Sequence, residues 1–163
     1  MNNIIKNLSL LSLIVSTLFL ISCEDDSSDP ATSGTLNISI NLTNPDSWPA
    51  DGTVFCSLDK TWPPSGAPYK SVVLQSAQVQ SGVISLVFED LDFDTYALLS
   101  VSWLDPNNPN PACNQAIWAT HSGSVQAFYA DATPFTFSVD NSELSLVLNA
   151  VANTATAPCP PTG

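Results

Sequence analysis

TLNISINLT, residues 35–43, alternates at every position: Leu36, Ile38, Ile40 and Leu42 fall on one face and Thr35, Asn37, Ser39, Asn41 and Thr43 on the other. This is the period of a β-strand with one buried face, because successive side chains of a pleated backbone point to opposite sides. The same period returns in Val54, Cys56 and Leu58; in Ile84, Leu86 and Phe88; in Phe135, Phe137 and Val139; and in Leu144, Leu146 and Leu148. No comparable helical period follows residue 33. Turn-forming residues punctuate the runs: Asn44, Pro45 and Asp46; Asp51 and Gly52; the Pro-rich 63–68; Ser81 and Gly82; the segment 105–111; Asp140 and Asn141. Short strands with frequent turns and one solvated face apiece predict an all-β domain, an antiparallel β-sandwich of about seven to eight strands.

Composition agrees. The chain has 163 residues, of which 44% are hydrophobic, 11% are charged and 13 are Pro. Scarce charge with ordinary apolar content argues against a disordered chain, a coiled coil and a helical bundle. Three Lys plus Arg stand against 15 Asp plus Glu, a net charge of -12. Nucleic acid is thereby excluded as the main partner, since binding a phosphate backbone needs clustered cations.

The N-terminus carries an address. Lys6 is followed by an apolar run over 8–21 that stops at Ser22, Cys23, Glu24, Asp25 and Asp26. The run is shorter than the roughly 20 residues a spanning helix needs, and it has the shape of a signal peptide. The stretch LISC (20–23) resembles the lipobox of bacterial lipoproteins: a branched aliphatic, a tolerant position, a small residue, then cysteine. The resemblance implies that residues 1–22 are removed, that Cys23 is lipidated, and that the chain faces the periplasm or the cell surface from a bacterial membrane. EDDSSDPATS (24–33) has no apolar period and reads as a solvated acidic tether from Cys23. The sandwich is expected over 34–150, with a Pro-rich tail at 151–163.

TVFCSL (53–58), TWPPSGAP (61–68), VISLVFEDLDF (83–93) with Thr95 and Tyr96 opening a long strand that ends in Asp105, and LSLVL (144–148) resemble transthyretin-like, carboxypeptidase-regulatory-like sandwich domains. Asp94 stands where such families usually carry Gly. The resemblance implies an immunoglobulin-like or transthyretin-like fold used for binding or scaffolding rather than catalysis.

Four groups of residues carry possible chemistry. Asp90, Asp92 and Asp94 have the alternate-carboxylate spacing that opens many calcium loops, without the Gly and closing Glu of such loops. The same spacing arises when Leu91 and Phe93 point inward and the carboxylates face water. The segment 105–123 is the first place to look for a ligand, with Asp105, Asn107 and Asn110 as polar contacts and Trp118 as an aromatic one, though its prolines equally suit an extended polar connection. His121 is the only histidine, which excludes a multi-histidine zinc site and leaves no second imidazole for a relay. Glu89 and Glu143 are the carboxylates a glycosidase would need, but both sit in polar company. No catalytic set emerges, so the expectation is a non-enzymatic module with no cofactor and no metal. Trp48 and Trp62, each followed by Pro, flank the strand at 53–59 and are expected near opposite ends of the sandwich.

With Cys23 acylated, three cysteines remain. Cys56 alternates with Val54 and Leu58, which predicts a free, buried thiol. Cys113 and Cys159 lie in Pro-rich segments emerging from the same end of the sandwich, so a disulfide is expected between them. The expected function is that of a lipid-anchored cell-envelope binding or scaffolding module whose partner is an envelope protein or a glycan. The alternative is a carbohydrate-binding or calcium-dependent adhesion module using 105–123.

Overall fold

In the computed structural model the alternating segment is strand β1 (Gly34–Leu42), and it holds the centre of a three-stranded sheet between β4 (Val83–Leu91) and β9 (Glu143–Ala150). Leu36, Ile38, Ile40 and Leu42 face inward and are 0, 3, 0 and 6% exposed. At about 1.5–3 kcal/mol per buried aliphatic side chain, this one strand contributes about 6–12 kcal/mol of apolar burial. The second sheet has the order β3 (Lys70–Leu74), β2 (Thr53–Asp59), β6 (Leu98–Leu104), β7 (Gln115–Thr120). A third, minimal sheet pairs β5 (Thr95–Tyr96) with β8 (Phe135–Thr136). Val54, Cys56, Leu58, Leu99, Val101, Trp103 and Trp118 meet the inward face of β1 and its neighbours in one hydrophobic cluster. The result is an all-β domain of sandwich type.

The structure describes residues 30–62, 66–110, 113–122 and 132–156. The chain divides into Met1–Pro30 and Ala31–Gly163, and every described residue but Pro30 falls in the second unit. The signal peptide, the lipobox with Cys23, most of the acidic tether and Cys159 lie outside the described residues. No helix among the described residues is long and apolar enough to cross a membrane.

Three expectations are corrected. The strand count rises to nine among the described residues, because β3, β5 and β7 carry weak alternation of their own. The sandwich is not wholly antiparallel: β1 and β9 run parallel, in register from Thr35 opposite Glu143 to Leu42 opposite Ala150. Short turns force antiparallel neighbours, but β1 and β9 are joined through the rest of the domain, so where the chain returns sets their direction. The strand expected through Phe135, Phe137 and Val139 stops at Thr136, because Ser138 and Asn141 exchange backbone hydrogen bonds of 3.2 and 3.1 Å around a tight turn. Phe137 still enters the core at 1% exposure, while Val139 is carried out to 55%.

Local backbone signals place the turns. Ser81 and Gly82 both have positive φ, 53° and 82°, between the bridged residues Gln80 and Val83; this is the two-residue turn that suits the twist of a hairpin. In β4 the pairing moves from Gly34 opposite Leu91 to Leu36 opposite Phe88, which leaves one extra residue on β4, and Asp90 takes φ 53° there. Gly52, at φ 78°, lies against the Trp103 indole, and a side chain at that position would collide with it. Trp48, before β2, meets Trp118 edge to face at 5.2 Å, while Trp62, after β2, is 39% exposed.

The chain beyond β9 is strapped to the domain. Asn44 Nδ2 donates to the Ala152 carbonyl at 2.9 Å and the Ala152 N–H donates to Asn44 Oδ1 at 2.8 Å. Trp118 Nε1 donates to the Asn153 carbonyl at 2.8 Å, and the Val151 N–H donates to the Trp118 carbonyl at 3.1 Å. Ala152 is only 5% exposed and joins the core.

Candidate functional site

On β2 the residues facing away from the core are Thr53, Phe55, Ser57 and Asp59. A solvated face is the expectation for them, yet Ser57 is 4% and Asp59 7% exposed. On β6 the corresponding residues are Leu98, Ser100 and Ser102, at 3, 2 and 1%. The middle of this sheet is therefore buried on both faces. Register explains why the face is polar: Ser71 of β3 pairs with Ser57, Ser57 with Ser100, and Ser100 with Thr120 of β7, so one row of hydroxyls crosses all four strands. Ser57 Oγ and Ser100 Oγ share a hydrogen bond at 3.1 Å, and the Thr120 hydroxyl is buried without a hydrogen-bond partner among the described residues.

Above this row lies a cavity of about 490 Å³, within the range of small-molecule sites. Phe55, Pro68, Val73, Leu98 and Leu104 supply its apolar wall, and Thr53, Asp59, Ser71, Ser100, Asn114 and Gln115 its polar groups. Asp59 closes one end, opposite Leu98 in the β2–β6 ladder; Leu104, Asn114 and Gln115 close the other. The Asp59 carboxylate has no hydrogen bond or ion pair among the described residues, and burial alone raises its pKa above the ordinary carboxylate value. Asn114 Oδ1 is likewise buried with no hydrogen-bond partner. Unpaired buried polar atoms cost stability, and of these Asn114 Oδ1 lines the cavity, at the end away from Asp59. The outer face of the β4–β1–β9 sheet has a shallower hollow of about 330 Å³ walled by small residues such as Ser39, Ser85 and Ser145, with no buried charge.

The residues singled out from the sequence are placed differently. The expected ligand segment 105–123 shrinks, since β7 occupies Gln115–Thr120. Trp118 belongs to that strand, is 1% exposed, and has its N–H committed to Asn153, so it offers no stacking surface to a sugar. Asp105 Oδ1 accepts from the Asn107 N–H at 2.8 Å and Asn108 Oδ1 from the Asn110 N–H at 3.0 Å. These are turn-making bonds, the ordinary business of Asp and Asn in loops. Asn107 and Asn110 are exposed on the loop and do not line the cavity. Only Asn114, at the loop's end, reaches it.

Asp92 and Asp94 converge, but on a cation of the chain itself. Lys60 Nζ lies 2.7 Å from Asp92 Oδ2 and 3.1 Å from Asp94 Oδ2, and 4.3 Å above the Tyr69 ring. Hydrogen bonds from Lys60 and then Tyr69 hold Asp92 below the ordinary carboxylate value; the Thr95 N–H and then Lys60 do the same for Asp94. The hydrogen bond to Asp92 raises Lys60 in return. An ammonium thus sits where a calcium ion would, and Asp90 stands apart on the bulge of β4. Among the described residues no cluster of three or more His, Cys, Asp or Glu is arranged to hold a metal.

His121 follows β7, half-buried, with its ring edge to face on Phe135 at 5.6 Å and Nε2 3.0 Å from Ser122 Oγ. Desolvation lowers its pKa. No carboxylate among the described residues bonds to its ring, so the histidine and serine lack the third group that orients a hydrolytic base. Glu143 Oε1 accepts from Asn37 Nδ2 at 2.9 Å, and the Glu89 carbonyl accepts from Lys70 Nζ.

No disulfide joins two cysteines of the described residues, so the expected bond is not shown among them. Cys56 is a buried free thiol and no partner for Cys113. Cys113 is itself buried and is not a free thiol, and Cys159 lies outside the described residues.

Neither a family model nor a curated protein nor a solved structure matches this chain. Asp59 and the hydroxyl row were missed by sequence reasoning, which assigned alternate polar residues to solvent. The available signal was the pair Ser100 and Ser102 inside LLSVSWL, a strand otherwise apolar on both faces.

Proposed function

We propose that this chain is a lipoprotein of a bacterial cell envelope, anchored through Cys23, whose sandwich is a non-enzymatic binding module working through the cavity over β2, β3 and β6. The observation that carries the binding role is Asp59, a residue 7% exposed whose carboxylate no group of the described chain neutralises, at the end of a cavity whose described lining is otherwise hydroxyls, amides and apolar side chains. A fold that only scaffolds gains nothing from a buried unpaired charge, whereas a binding site gains a ligand contact from it. The resemblance to transthyretin-like, carboxypeptidase-regulatory-like domains supports the same use. The carbohydrate and calcium-dependent alternative draws no support from Trp118 or from the Asp92 and Asp94 pair.

Two measurements test the proposal. Palmitate labelling of the parent chain and of Cys23→Ala should show incorporation only in the parent; incorporation into both removes the anchor. Native mass spectrometry of the full chain from its own envelope should show a dissociable small molecule that Ser71→Trp, which fills the cavity mouth, does not carry. Equal occupancy in parent and variant removes the cavity as the binding surface.

A further inference from the structure

We infer that the cavity selects a small organic cation, an ammonium or guanidinium group carrying an apolar body, with the cation on Asp59 and the body along Leu98 and Phe55. The inference rests on the cavity being the binding surface and adds the class of occupant.

Among the described residues Asp59 is the one charged group that lines the cavity. An ionised carboxylate only accepts hydrogen bonds, so it is satisfied by donors and best by a charged donor. Nothing in the described chain plays that part. The sequence has three Lys plus Arg in all; Lys60 is engaged by Asp92 and Asp94, Lys70 Nζ donates to the Glu89 carbonyl, and Lys6 belongs to the segment expected to be cleaved.

The walls exclude other occupants. An anion meets Asp59 in a poorly solvated space, where like charge is strongly unfavourable. Among the described residues a bare metal ion meets one carboxylate, with the unpartnered Asn114 oxygen at the other end of the cavity, short of the several converging oxygens it needs. A sugar lacks the cation, and among the described residues Phe55 is the one aromatic side chain lining the cavity. An apolar body does fit: Leu98 lies opposite Asp59 in the ladder, and Phe55 is a further apolar lining residue on the same strand as Asp59. The net charge of -12 also draws cations toward the surface and repels anions.

The test titrates the full chain with three probes of one shape, 2-phenylethylammonium, 2-phenylethanol and 3-phenylpropionate, followed by backbone amide shifts of Phe55, Asp59 and Leu98. The cation should bind at least about tenfold more tightly than the alcohol, the size expected for a hydrogen bond to a charged group, and the anion should not bind. In Asp59→Asn, which keeps the shape, the cation should fall to the affinity of the alcohol. If cation and alcohol perturb those amides with equal affinity, the cation selectivity is overturned while the cavity stands as a binding surface. If none of the probes moves those amides, both readings fall together. Cation binding that survives Asp59→Asn unchanged also overturns the assignment of the head group.

Discussion

Removing the Asn44 side chain tests whether the chain beyond β9 belongs to the folding unit. Asn44→Ala deletes the donor to the Ala152 carbonyl and the acceptor of the Ala152 N–H, two hydrogen bonds of 2.9 and 2.8 Å. Ala152 is 5% exposed, so water does not readily replace either partner. A net hydrogen bond is worth about 0.5–1.5 kcal/mol, and a buried group left unpaired costs about 1–3 kcal/mol. The pair together should therefore lower stability by about 2–4 kcal/mol, a large share of the roughly 5–15 kcal/mol of a typical domain. At about 4 °C per kcal/mol for a domain of this size, Tm falls by about 8–16 °C. Thermal unfolding followed by circular dichroism of the full chain measures it, and amide exchange at Val151 and Ala152 should quicken in parallel. A Tm within about 2 °C of the parent, with those amides still protected, would refute the argument that the strap is part of the fold.

Asp59→Asn should raise Tm at pH 7. Burial raises the folded pKa above the ordinary 3.8, so through that window the folded chain holds a proton the unfolded chain has released, and stability falls as pH rises. The advantage of the variant should vanish as pH drops below 3.8, and a Tm lower than the parent's at pH 7 would contradict the unpaired state of the carboxylate. Lys60→Met should act with the opposite sign. Asp92 and Asp94 are held below the ordinary 3.8, so they stabilise above it and cease to as pH falls through their lowered values. The loss of Tm on acidification should be smaller in Lys60→Met than in the parent; equal losses would show that the ion pairs are idle. The Cys56 thiol, pushed up to about 12 by burial, should resist iodoacetamide at pH 8 in the native chain and react in urea; labelling of native Cys56 would show that β2 faces the other way.

Residues 35–43 show how much a pattern of side chains can settle. Alternation places Leu36, Ile38, Ile40 and Leu42 on one side whatever their neighbours are, because the pleat alone dictates it, and all four are buried in the structure. Cys56 is free and buried for the same reason. The turns at Ser81 and Gly82 and at Gly52 are also local, set by residues that tolerate positive φ. Alternation fails where a turn competes with it, as at Val139, and where a strand is buried on both faces, as in β6.

Tertiary structure alone decided which strands lie side by side. The parallel partnership of β1 and β9 depends on where the chain returns after the whole domain has been laid down, which no local period records. The hydroxyl row of Ser71, Ser57, Ser100 and Thr120 exists only through the register of four strands drawn from positions 71, 57, 100 and 120. The fates of the acidic residues were decided in the same way. Asp92 and Asp94 are neutralised because Lys60, 32 residues from Asp92 in the chain, is brought between them, while Asp59, next to Lys60 in sequence, points across the strand and is left without a cation. Periodicity assigns a side chain to a face. What stands opposite that face, and whether it carries the charge the side chain needs, is a property of contacts between segments distant in the chain.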